Sequence, residues 1–278
     1  MMPNLTSTTL SMLPRSLVSS AQAEYGLAQT PAGLRLVVLA AAGWPALASY
    51  EGESSEFRGR ILLIGPLSPQ NAAVLRGQLP WLQPRLLGLR TSAGMGDRLG
   101  LATAGHVRAT RAVGGKVEPI FAQQSIREMA RTNRTPQQVM DDAIWGMFAE
   151  GWQAGAGADA DHLKTPADID ACLAAGYTFF TIDPGDHVDN RAETASLNEL
   201  RELAGLLPVD HQPAAAGLLG KSFDIEGRVI RFDEATLLKA VVKYGRAVAH
   251  VAALYRHLAQ TAGQRLFELE VSVDETEQ

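Results

Sequence analysis

Short apolar runs bounded by glycine and proline open the chain. Residues 36–42 and 60–65 read as buried strands, with the charged stretch 51–58 between them as a loop or hairpin turn. A helix is predicted at 70–78, so residues 1–85 are expected to form a small α/β region. From about residue 86 the pattern changes to apolar strand, polar loop and amphipathic helix in regular alternation. Strands are predicted at 86–91, 117–122, 155–160, 177–183 and 265–273, and helices at 124–132, 135–152, 165–176, 196–206 and 234–261. Within 135–152, Val139, Met140, Ala143, Ile144, Met147 and Phe148 recur at helical spacing, and Thr135-Pro136 supplies an N-cap followed by proline in the first turn.

Strands that alternate with helices imply parallel βαβ units. A doubly wound sheet and a (β/α)8 barrel both begin this way. Acidic and basic residues cluster at the carboxyl ends of the predicted strands, as in a barrel whose active face is built from several βα loops. No Gly-x-Gly-x-x-Gly follows the first of these strands, which argues against a dinucleotide fold. The expected architecture is therefore a TIM-type (β/α)8 barrel, of which residues 86–278 hold about the first five units. The chain ends directly after a predicted strand, so the expected barrel has an open edge through which copies would self-associate.

Composition narrows the function. Hydrophobic residues make up 46% and charged residues 20%, an ordinary globular balance. The net charge of −5 leaves no basic field for nucleic acid. The longest apolar stretch, 34–48, is interrupted by Arg35, Gly43 and Pro45, so no membrane span is expected. A single cysteine, Cys172, excludes an internal disulfide framework and points to the cytoplasm.

Three segments carry candidate chemistry. Asp161, His162 and Lys164 follow a run of small residues; an imidazole beside a carboxylate suits a divalent cation with an adjacent base, although a capped surface loop would look the same. Asp183, Asp186, His187, Asp189 and Asn190 surround a Pro-Gly turn and are denser than turn chemistry needs. In 267–274, alternation places Glu268, Glu270, Ser272 and Asp274 on the face opposite Phe267, Leu269, Val271 and Val273. Carboxylates inside a barrel are costly unless paired or metal-bound. A weaker signal is the glycine loop holding Asp97 and Arg98, which reads as an anion cradle. His250 and His257, seven apart on the last helix, are expected to be surface or packing residues, and Cys172 a small core residue.

Taken together, the segments 96–106, 124–129, 140–143, 158–164, 180–190 and 267–277 resemble the tagaturonate/fructuronate epimerase family of the bacterial UxaE type. The resemblance runs in family order from about residue 86 and implies a longer protein, of which this chain would be the N-terminal part. It further implies a metal-dependent inversion of a hexuronate by proton abstraction next to the ketone, with a retro-aldol route left open. On that basis Asp161 is expected to act as base, Glu270 as acid and His162 as ligand of a divalent cation. Asp97, Arg98, Lys164, Asp183, Asp186, His187, Asp274 and Glu275 are expected to contact the substrate. The alternatives are a metal-dependent sugar isomerase or aldolase on the same barrel, or an inactive fragment that binds sugar acids.

Overall fold

A computed structural model describes residues 10–208 and 217–274, so Glu275 lies outside the described residues. The chain divides into two compact units. The first comprises Met1–Asp161, Ala171–Phe180 and Leu266–Glu268; the second comprises His162–Asp170, Thr181–Arg265 and Leu269–Gln278.

The first unit opens with an antiparallel sheet: β1 (Ser11–Met12), β2 (Val18–Ser19), β3 (Ala23–Thr30), β4 (Gly33–Ala41), β5 (Glu53–Phe57) and β6 (Arg60–Gly65). Their order is β1-β3-β4-β6-β5, with β2 also on β3. Alternate residues of these strands, Ala28, Val37, Leu39 and Leu62, pack into one apolar cluster with Phe57 and Ile64. The stretch read as a loop or hairpin turn contains a strand, β5. Its mostly exposed polar residues hide the strand from a hydrophobic reading, and Arg58-Gly59, both at positive φ, turn it back into β6. Helix α1 (Pro69–Gln78) follows, with Ser68 accepting from the Asn71 amide.

Four further helices and five more strands lie between residues 92 and 182 or at 268–271: β7 (Ser92–Gly94), α2 (Thr103–Val113), β8 (Glu118–Ser125), α3 (Ile126–Thr132), α4 (Pro136–Ala149), β9 (Gly157–Leu163), α5 (Pro166–Ala175), β10 (Phe179–Ile182) and a last strand, Glu268–Val271. These five strands form one sheet in which the last strand pairs with β10, followed by β9, β8 and β7. The β7–β8 and β8–β9 pairs are parallel. The class is mixed α/β, as expected. The strand predicted at 86–91 is replaced by β7, which begins at Ser92. The reason is a partner far along the chain: the Leu87 and Gly88 amides, which a strand would use in its ladder, both donate to the Glu268 carboxylate. Helix α4 forms as predicted, with a reciprocal Thr135–Gln138 capping box and Val139, Met140, Ala143, Ile144, Met147 and Phe148 buried.

In the second unit, α6 (Leu197–Gly205) and α7 (Glu234–Ala262) share a core of Leu200 and Val242 with Ala192. An exposed hairpin, β11 (Ser222–Ile225) and β12 (Arg228–Arg231), precedes α7 and turns on Glu226-Gly227, both at positive φ. The last strand is thus β13. Among the described residues, no helix is long and apolar enough to cross a membrane.

Candidate functional site

In the first unit, the loop after β7 is organised by Asp97. Its buried carboxylate accepts from the amides of Leu99, Leu101, Ala102 and Thr103 and from the Thr103 hydroxyl. Burial pushes the Asp97 carboxyl up, but the four backbone donors outweigh it and hold it below the usual carboxylate range. The residue expected to meet substrate is therefore occupied in shaping its own loop and starting α2. Arg98 forms an ion pair with Glu128.

One residue that the sequence reading missed, Arg134, completes this region together with Gly100 of the glycine loop. Arg134 donates to Gln124 Oε1 at 2.6 Å, to the Asp97 carbonyl and to Asp142 Oδ2. Gly100, at φ +72°, is required because a Cβ there would collide with the Asp142 carboxylate. Arg98, Arg134, Asp141, Asp142 and Trp145 line a cavity of about 540 Å³. Asp141 Oδ2 and Trp145 Nε1 are buried in its wall without a hydrogen-bond partner. Burial raises the Asp141 carboxyl to about 6, even though Gln137 and Arg76 oppose the shift.

This shift yields a prediction. The folded state holds the Asp141 proton more tightly than the unfolded chain, so its contribution to stability falls as pH rises from the ordinary aspartate value of about 4 to about 6. Above that window the ionised group costs about 2–3 kcal/mol. Asp141→Asn is expected to unfold at higher temperature than the wild type at pH 8, with the difference vanishing below about pH 4. Thermal unfolding across pH checks this, and an equal effect at both ends of the range would contradict it.

Asp161 stands at the carboxyl end of β9, in register with Ser125 of β8, and its Oδ2 accepts from Gln123 Nε2 at 2.9 Å.

The second unit gathers most of the predicted residues. His162 follows directly and has φ +56°, a left-handed conformation that is uncommon outside glycine. Its Nε2 lies 2.6 Å from Asp274 Oδ2, while Asp274 Oδ1 accepts from the Ser272 hydroxyl. Lys164 Nζ reaches Asp186 at 2.8 Å and Asp183 at 3.5 Å. The Asp186 hydrogen bond, with Asp183 assisting, raises the Lys164 pKa, and Lys164 lowers that of Asp186 in return. Thr181 Oγ1 donates to Glu270 Oε2 at 2.9 Å.

His187 stacks on His250 with ring centroids 4.0 Å apart, and His250 Nε2–H donates to the Lys164 carbonyl. Desolvation and the neighbouring His187 lower the His250 pKa. His250 is half-buried and packs on His187, in keeping with the packing role expected for it, and this packing sets it beside the Lys164 loop. Periodicity could not reveal it, because only the fold brings the middle of α7 to the loop after β9. His257, one heptad on, pairs with Asp170. Glu268 is the strand carboxylate that does not join the set, since it holds the Leu87 and Gly88 amides.

As for a cation, the His162–Asp274 pair offers two donors of suitable chemistry. Catalytic metal sites use about three protein ligands. Among the described residues, no group of three or more His, Cys, Asp or Glu is placed to hold one. These residues do not by themselves fit a resident cation.

Comparison with known proteins gives one consistent outcome. The family model described as tagaturonate epimerase matches residues 13–278. The tagaturonate/fructuronate epimerase of Thermotoga maritima is 45% identical over 208 residues, which is 75% of this chain and 42% of the relative. The native crystal structure of the fructuronate-tagaturonate epimerase UxaE from Cohnella laeviribosi matches with a TM-score of 0.86 at 35% identity, covering 99% of this chain and 55% of that one. A glycerol complex of the same enzyme matches with a TM-score of 0.84 over 97% of this chain and 54% of that one. The chain spans about half the length of these relatives.

Proposed function

The chain belongs to the tagaturonate epimerase family, and from that membership we propose that it takes part in interconverting tagaturonate and fructuronate. The observation that carries the reading is in the second unit. There the ends of β9, β10 and β13 contribute His162, Lys164, Asp183, Asp186 and Asp274 as ion pairs, with His162 in a strained backbone conformation. The five-stranded sheet is read as part of a (β/α)8 barrel, whose active face is the carboxyl ends of its strands.

The substrates refine the mechanism. With the ketone carbon numbered C2, tagaturonate and fructuronate differ in configuration at C4. That carbon is β to the ketone, so proton removal beside the carbonyl would invert C3 instead. Retro-aldol chemistry reaches C4. A base takes the proton of the C4 hydroxyl, the C3–C4 bond breaks, and its electron pair passes to the C2 carbonyl as an enediolate while C4 becomes an aldehyde. The aldehyde turns its other face, the enediolate carbon adds back, and an acid returns a proton to O4.

In this reading Asp161 is the base and Glu270 the acid, each worth the usual 10²–10⁴-fold (roughly) of a positioned proton donor or acceptor. Lys164, kept cationic by Asp186 and Asp183, supplies positive charge to the enediolate or to the substrate carboxylate. Asp183, Asp186, His187 and Asp274 orient these groups and the hydroxyls of the sugar acid. The reading is tested by incubating tagaturonate with the chain, alone and combined with the portion of the Cohnella enzyme that it does not span. Fructuronate in the combined reaction supports the assignment, and its absence from both reactions overturns it.

A further inference from the structure

In the first unit, three guanidinium groups converge on one carboxylate at the end of α4. Arg15 Nη1 lies 2.6 Å from Glu150 Oε2, Arg108 Nη1 lies 2.6 Å from Oε1, and Arg111 Nη1 lies 3.8 Å from Oε2. Arg111 also donates through Nη2 to the Glu150 carbonyl at 2.9 Å. We propose that Arg15, Arg108 and Arg111 form a binding site for a phosphate dianion, either inorganic phosphate or the phosphate group of a small ester. The proposal is independent of the epimerase reading.

Charge is the first argument. Three cations against one anion leave a local surplus of two positive charges, which Glu150 cannot neutralise. Burial pushes the Glu150 carboxyl up, yet Arg15 and Arg108 overcome this and hold it below its usual range, so the surplus persists through neutral pH. A monoanion would cancel half of it and a dianion all of it.

Geometry is the second. The Glu150 side chain is only 10% exposed, but those of Arg15, Arg108 and Arg111 are 58%, 57% and 41% exposed. Each guanidinium carries five N–H donors in a rigid fork suited to phosphate oxygens, and Glu150 engages only one or two on each. The carboxylate therefore gathers the forks while most of their donors stay available to solvent.

Preorganisation is the third. Arg108 and Arg111 are three apart on α2 and share a face. Arg111 is stacked over the Trp152 ring at 5.8 Å, and Trp152 in turn meets Phe121 edge-on. Arg15 sits in a short turn, Pro14–Ser16, locked by the buried Ser16 hydroxyl, which donates to the Leu13 carbonyl and accepts from the Leu27 amide. Gly151, at φ +56°, lets this turn approach the end of α4, because a Cβ there would collide with the Arg15 carbonyl.

The test is calorimetric titration of inorganic phosphate into the purified chain at pH 8 and constant ionic strength, with Trp fluorescence as a second reading of the Arg111–Trp152 stack. Saturable one-site binding is expected, with sulfate competing and with affinity at least about 10-fold weaker in Arg108→Gln and in Arg111→Gln. Thermal unfolding of both variants is read alongside, and a binding loss in a variant that is still folded at the titration temperature separates lost binding from lost folding. Tighter binding of glycerol phosphate than of phosphate would identify an ester as the ligand, and the reverse would identify free phosphate. No saturable binding up to about 10 mM phosphate, or equal affinity in the wild type and both variants, would overturn the proposal.

Discussion

Replacing Glu270 with glutamine is expected to slow tagaturonate turnover by about 10²–10⁴-fold in the epimerising protein while leaving the fold intact. The two effects separate because of how Glu270 is held. It lies on β13, exposed, with a hydrogen bond from the Thr181 hydroxyl at 2.9 Å. Glutamine keeps an oxygen that accepts this bond, so stability is expected to change by no more than about 0.5–1 kcal/mol. It cannot exchange a proton, so a role as acid is lost outright. Steady-state rates alongside thermal unfolding check the prediction. A rate within about threefold of the wild type would remove Glu270 from the proton-transfer machinery.

Asp97→Ala is expected to do the reverse and unfold the first unit at much lower temperature. Four backbone amides and one hydroxyl converge on that buried carboxylate. Hydrogen bonds to a charged group contribute roughly 1.5–3 kcal/mol each and are not additive, so a loss of about 3–5 kcal/mol is expected. The folded pKa of Asp97 is depressed. Its contribution is therefore fully present above the unfolded carboxylate range and is lost as pH falls through the lower folded value. Chemical denaturation at neutral pH and again near about pH 2 should show the variant and wild type drawing together in acid. A difference that stays constant down to that pH would mean that packing, rather than the carboxylate, supplies the stabilisation.

Much of this organisation is legible in the sequence. The Thr135-Pro136 start of α4 and its buried stripe follow from capping chemistry and helical spacing, and both are local. The cluster around Asp183 is visible as titratable residues too dense for a turn alone, and Lys164 meets it as ion pairs. What escaped reading depends on partners far along the chain. Glu268 looked like a third inward carboxylate, yet it serves as an anchor for backbone amides some 180 residues away. Arg134 looked like an ordinary basic residue after a helix, and only the fold sets it against Gln124, Asp97 and Asp142. Strand β5 is mostly polar and exposed, so the hydrophobic pattern that reports a buried strand is absent from it.

In the proposed reaction, C4 is inverted by carbon–carbon cleavage, with the proton transfers confined to the oxygen. The measurement that tests it most directly is to run the tagaturonate reaction in D2O with the protein in its epimerising form and to examine the product by NMR. The predicted result is fructuronate carrying protium at both C3 and C4, formed at a rate that collapses in Glu270→Gln. Deuterium at C4, or no fructuronate at all, would contradict it.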